Sequence, residues 1–180
     1  PKDFIDFGTR GSVDMALSRL AQAGRIRRVG RGLYDYPRLH DKIGVLSPNA
    51  DSLARAVAGK SGNKIGPAGA DAVNRLGLST QVPAKASYAT DGPSRVKNIA
   101  GRTLSLKHAR APLLDKASTQ ANSVLQAIAH LGKDGIDGDT IRQLADRLNQ
   151  HDMKALIKAR QQMTGWMGDV VLKINEARHG

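Results

Sequence analysis

Val13, Ala16, Leu17 and Leu20 recur at i, i+3, i+4 and i+7, the spacing of one helical face. Ser12 is a natural N-cap ahead of them and Gly24 a natural stop, so the spacing predicts a helix over 12–24. Before it, PKDFIDFG (1–8) reads as a short helix. Pro1 suits a first helical position, Phe4, Ile5 and Phe7 supply an apolar side, and Gly8 ends it before the turn GTRG (8–11). After it the period shortens. Residues 26–29 read as a strand, the GRG at 30–32 as a tight turn and 33–36 as the returning strand, closed by Pro37.

The middle of the chain mixes both periods. LSPNADSLARAVAGKSG (46–62) reads as a helix capped by Ser47 with Pro48 at its first position. NKIGPAGADAVNRLGLS (63–79) reads as a short strand and a helix ending at Gly77. AKASYATDG (84–92) reads as a strand, and 94–109 as a hairpin turning at Ala100-Gly101, with Leu104 and Leu106 alternating on a half-buried face. From 114 onward the pattern is helical. Four stripes stand out: Ala117, Ala121, Val124, Leu125, Ile128; Ile141, Leu144, Ala145, Leu148; Met153, Leu156, Ile157; and Met163, Trp166 or Met167, Val170, Ile174. The loop 132–139 and the break at 149–152 separate them. The fold class expected is α+β. Its organisation is expected to be an N-terminal module (1–46), a mixed α/β region (47–113) and a helical C-terminal region (114–180).

Composition narrows the partners. Apolar residues make up 40% of the 180 and aromatics 3%, so the core is built from Leu, Ile, Val and Ala. The net charge of +12 points to a polyanionic partner, nucleic acid or anionic membrane. No apolar run reaches the ~20 residues of a membrane span. No signal-peptide pattern opens the chain, and without cysteine there are no disulfides or thiolate sites, so a cytoplasmic protein is expected. The excess charge is uneven: 9 Lys/Arg against 5 Asp/Glu in 1–46, 10 against 3 in 47–113, and 9 against 8 in 114–180. The last third is therefore suited to packing, self-association or a protein partner rather than to DNA.

Helix, turn, helix and a basic two-stranded wing is the order of a winged helix-turn-helix, whose second helix reads the major groove. Turning the apolar face of 12–24 inward puts Asp14, Met15, Ser18 and Gln22 outward, flanked by Ser12 and Arg19, with Arg10 at the start. Gln22 suits adenine, Arg19 guanine or phosphate, and Met15 a thymine methyl. The wing carries Arg25, Arg27, Arg28 and Arg31 within seven residues, with glycines at 30 and 32 that let backbone approach phosphate. Tyr34 and Tyr36 alternate beside them. Packing of both rings on the wing base is the plain expectation, and a hydroxyl contact from Tyr34 to phosphate the functional one. A second basic surface is expected from Lys85, Arg95, Lys97, Arg102 and Lys107, which would extend a DNA footprint or dock an acidic partner.

The stretch from PKDFIDFG through GSVDMALSRLAQAGRIRRVGRGLYDYP, and then LGLSTQVPAKASYATDGPSR, resembles the AbiEi-like antitoxins of type IV toxin–antitoxin and abortive-infection systems. GRGLYDYP (30–37) and LGLSTQVPAK (76–85) carry the resemblance, which covers about residues 1–110. It implies a winged-helix DNA-binding domain joined to a C-terminal region that supports antitoxin activity. It also implies a transcriptional repressor of its own operon, with double-stranded operator DNA and a nucleotidyltransferase-like toxin as partners. In that family a helix-rich start usually precedes the PKDF segment. This chain opens on Pro1, so its winged helix is expected to be one helix short.

Other motifs explain less. Residues 56–61 end like a phosphate-binding loop, but Ala54 stands where its first glycine belongs, and the segment sits at a helix end. Asp134, Asp137 and Asp139 lack the spacing of a calcium loop and suit turn formation and capping of a helix near Thr140. The five histidines are scattered. Trp166 is expected to anchor the last helices. No enzyme, metal or cofactor is expected. The competing readings are a stand-alone winged-helix regulator and, more remotely, a nucleic-acid enzyme. The latter would need an acidic or histidine cluster in the basic part, where 47–113 offers Asp51, Asp71 and Asp91.

Overall fold

The computed structural model describes residues 2–81, 87–115 and 118–179. The chain folds as α+β and divides into two compact units, Pro1–Ala56 with Asn98–Arg102, and Val57–Lys97 with Thr103–Gly180.

The first unit begins with 3-10 turns over Lys2–Phe7, interrupted at Phe4, in place of a continuous short helix. Phe4, Ile5 and Phe7 were expected to form an apolar side but are 44%, 63% and 84% exposed. Helix α1 spans Arg10–Gln22. Its N-cap is Thr9, not Ser12: the Thr9 hydroxyl accepts from the Ser12 N–H, and Ser12 donates its own hydroxyl to the Thr9 carbonyl. Either hydroxyl could have capped the helix, and the extended backbone of Thr9 settled it. Val13 and Leu17 are buried, whereas Ala16 and Leu20 are exposed, so the buried stripe is two residues long.

Strands β1 (Arg27–Gly30) and β2 (Leu33–Asp35) form an antiparallel hairpin, with Arg27 opposite Asp35, Arg28 opposite Tyr34 and Gly30 opposite Leu33. Arg31 and Gly32 make its two-residue loop. Gly32 sits at φ 65°, a left-handed conformation that favours glycine. The register slips between Arg28 and Gly30, a bulge that sharpens the twist. A second small hairpin follows, β3 (Leu39–His40) and β4 (Gly44–Val45), which the periodicity did not predict. Helix α2 (Ala50–Lys60) starts after Ser47 and Pro48, the expected cap and first position. The Asn49 carboxamide oxygen accepts from the N–H groups of Asp51 and Ser52 instead. The helix is closed by Gly62 at φ 70°.

A four-stranded sheet pairs β5 (Ile65–Pro67), β6 (Ser87–Thr90), β7 (Arg95–Ile99) and β8 (Arg102–His108) in the order β5-β6-β8-β7. β5 is antiparallel to β6, and β6 is parallel to β8, with Tyr88 opposite Leu106. Ala100 (φ 50°) and Gly101 (φ 72°) make the expected turn between β7 and β8. Helix α3 (Gly69–Arg75) ends at Gly77, as expected.

The core is helical. α4 (Thr119–Leu131), α5 (Gly138–Asp146), α6 (Gln150–Lys158) and α7 (Gly165–Ala177) bury Leu125, Ile128, Leu144, Leu156 and Ile174 completely, against Val73 and Leu76 of α3 and its C-cap. Each such side chain contributes about 1.5–3 kcal/mol. Ser118, Asp137 and Asn149 cap α4, α5 and α6 through bonds to Ala121, Thr140 and Asp152. Trp166 is half-buried against this core, as expected, whereas Ile157 turns outward and is 38% exposed. Ala117 of the first stripe lies outside the described residues. Among the described residues no helix is long and apolar enough to cross a membrane.

Candidate nucleic-acid interface

Between Asp14 and Asp35 the chain has no acidic residue and five arginines, Arg19, Arg25, Arg27, Arg28 and Arg31. Folding places the first on α1 and the rest along and around the β1–β2 hairpin that follows it.

The exposed side of α1 carries Arg10, Ser12, Met15, Ser18, Arg19 and Gln22. Arg10, 85% exposed, lies 3.8 Å from the Asp14 carboxylate one turn on. The Arg19 guanidinium reaches the Met15 sulfur at 3.4 Å, so these two side chains stand together. Ser12 is occupied with Thr9. At the C-terminal end the N–H groups of Arg25 and Ile26 donate to the Leu20 carbonyl, which turns the chain into the hairpin within five residues of Gln22.

The hairpin's arginines divide into two kinds. Arg27 is half-buried. Its Nε donates to Asp35 Oδ2 at 2.7 Å, its Nη2 lies 2.6 Å from the same oxygen, and Nη2 also donates to the Leu46 carbonyl. Leu46 in turn donates its N–H to the Arg38 carbonyl, so Arg27 ties the first hairpin to the end of the second. Its fork is engaged inside the protein. Arg25, Arg28 and Arg31 are exposed. Tyr34 is half-buried opposite Arg28, but Tyr36 is 76% exposed, so the two rings do not pack alike on the hairpin base.

Of the second basic group, Lys97, Arg102 and Lys107 are exposed. Arg95 is half-buried and bonded through Nη2 to Ser61 Oγ (3.1 Å) and Asn63 Oδ1 (3.4 Å). Lys85 lies outside the described residues. Among the four described residues, half-buried Arg95 is thus set apart from the three exposed ones. Arg95 holds the loop at 61–63, Lys107 pairs across to Ala89, and Lys97 and Arg102 flank the β7–β8 turn. Arg38 and Lys42, exposed on the β3–β4 hairpin, are two cations that the periodicity did not single out. Leu39 and Val45, placed opposite each other around Asp41–Gly44, were the available signal.

Among the described residues no three His, Asp or Glu side chains gather as metal ligands. Asp137 is drawn below its usual carboxylate range by the backbone N–H and side chain of Thr140, a capping effect.

A sequence model of a family of unknown function, DUF6088, matches residues 1–156. No curated protein and no solved structure matches the chain.

Proposed function

The chain belongs to the DUF6088 family, whose description assigns no function; from its own residues we propose that it is a sequence-specific, double-stranded DNA-binding repressor of the winged helix-turn-helix type. One observation carries the reading: the acid-free run from 15 to 34 spans an exposed helix face and a half-buried hairpin that holds Arg25, Arg28 and Arg31 exposed along and beside it. A helix of this width fits the major groove, and Met15, Ser18, Arg19 and Gln22 are the residue types that address base edges. Arg25, Arg28 and Arg31, spread over a glycine-bearing hairpin, suit phosphates or a narrow minor groove. Arg27 positions that hairpin rather than touching DNA, and Tyr34 supports it from the facing strand.

The AbiEi-like resemblance of GRGLYDYP and LGLSTQVPAK supports a more specific role. In it the protein is an antitoxin that represses its own operon and counteracts a nucleotidyltransferase-like toxin. A stand-alone regulator would use the same DNA-binding surface without a toxin.

Binding to the promoter of its own gene tests the reading, measured against unrelated duplex at two or more salt concentrations. Replacing Arg25, Arg28 and Arg31 together by Ala should lower the slope of log K against log salt by about 0.9 for each phosphate no longer neutralised. Replacing Arg19 or Gln22 should mainly relax the preference for the promoter. Unchanged affinity of the triple variant at every salt concentration overturns the hairpin assignment. Co-expression with a neighbouring nucleotidyltransferase separates the two roles, since an antitoxin restores growth and a stand-alone regulator does not.

A further inference from the structure

We propose that the tip of the β7–β8 hairpin is a second contact for the DNA phosphate backbone, through Lys97 and Arg102; this rests on the duplex-binding reading above. From Asp91 to Asp115 the chain again has no acidic residue, while Arg95, Lys97, Arg102, Lys107 and Arg110 are all cationic. The two bounding acids are both engaged with Lys64. The Asp91 carboxylate accepts from the Lys64 N–H at 2.8 Å, and the Asp115 carboxylate lies 2.8 Å from Lys64 Nζ.

The tip is the turn of a hairpin: β7 runs to Ile99, β8 starts at Arg102, and among the described residues β8 meets β6 from Ser105 to His108. Asn98–Arg102 belong to the same compact unit as α1 and the β1–β2 hairpin. Lys97, Ala100, Gly101 and Arg102 are exposed, while Ile99 between them is 8% exposed and anchors the turn. A turn anchored by Ile99, with an exposed cation on each of its strands, fits a groove or a phosphate row. Its tip residues Ala100 and Gly101 add no bulk that would hold it away.

The test uses the full chain and its promoter duplex. The double variant K97A/R102A should lower the salt slope by about one unit per cation removed and weaken binding at low salt in proportion. K97Q/R102Q repeats the measurement with longer side chains should the alanine variant melt early. K173A removes one exposed charge from α7 and should leave the slope unchanged. An unchanged slope in both double variants overturns the tip contact while leaving the α1 and β1–β2 reading intact. So does a slope lowered equally per charge by K173A, which would make the effect one of net charge. Failure of the unaltered protein to bind any duplex overturns both readings together. Loss of binding to an acidic protein partner, with DNA binding intact, assigns the tip to that partner and overturns the proposal.

Discussion

The first 45 residues and the last 60 treat apolar side chains in opposite ways. Among the described residues, Val13 and Leu17 are the hydrophobic side chains buried before residue 46. Phe4, Ile5, Phe7, Met15, Leu20, Tyr36, Leu39, Ile43 and Val45 are each at least 44% exposed there. After residue 118 the order reverses. α4 to α7 bury stripe upon stripe, and Ile157, at 38%, is the large apolar side chain left outside. A helical bundle can hide apolar faces on one another, whereas one helix and two short hairpins have too little mutual surface to do so. The C-terminal helices hold the chain together. The N-terminal segment holds side chains out, and its order depends on particular bonds such as those of Arg27.

The largest test of this contrast is a set of three truncations. Leu125, fully buried in α4, should cost about 2–5 kcal/mol when replaced by Ala, through lost transfer energy and the cavity left behind. Leu20, 44% exposed on α1, and Ile43, 70% exposed at the second hairpin, should each cost no more than about 0.5 kcal/mol. Urea unfolding followed by circular dichroism measures all three. If L20A were as costly as L125A, the exposed residues would be packed in solution and the contrast would fail.

What the sequence made legible follows from the range of the interaction involved. Helix faces and two-residue turns are local, so the stripes of α4, α5 and α7, the Gly32 turn and the Ala100-Gly101 turn could be read directly. Caps are local but degenerate. Thr9 displaced Ser12, and Asn49 displaced Ser47, because neighbouring residues offered equivalent side chains. Leu20 satisfied the helical spacing but met nothing to pack on, since periodicity records a face and not its neighbour. The parallel pairing of β6 with β8 brings Ser87 opposite Ser105 across an intervening strand, which no window of neighbouring residues encodes. In the candidate interface, the arginine cluster was plain from the sequence, but its division into half-buried and exposed members was not. Arg27 and Asp35 could have been matched, because a two-residue loop at 31–32 places them opposite each other once the bulge is counted.

That division gives the intermediate effect. R27A strands the Asp35 carboxylate and the Leu46 carbonyl in half-buried surroundings, and should cost about 1–3 kcal/mol. R27K keeps the charge but lacks the planar fork that reaches both acceptors, and should recover only part of that stability. R28A, on the neighbouring exposed position, should change stability by less than about 0.5 kcal/mol while lowering the salt slope of DNA binding. Thermal melts and DNA titrations on the same three proteins separate holding from presenting. Equal drops in melting temperature for R27A and R28A would erase the distinction.

The smallest effect lies in the stable half and concerns a single cap. The Asp137 carboxylate accepts the Thr140 N–H at 2.8 Å at the start of α5, where the positive end of the helix also favours negative charge. These interactions hold its pKa in the folded chain below the usual carboxylate range. A depressed carboxylate contributes stability that is fully present above the unfolded value. That contribution is lost as the pH falls through the folded value, because the unfolded chain binds the proton first. D137N retains an acceptor for the Thr140 N–H but has no proton to bind. Near neutral pH the unaltered chain should melt slightly above D137N. Below about pH 4 its melting temperature should fall toward that of D137N as the advantage of the charge is lost. Parallel slopes for the two proteins through the acid range would show that the cap is held by its hydrogen bond alone and that its charge contributes nothing to the stability of the bundle.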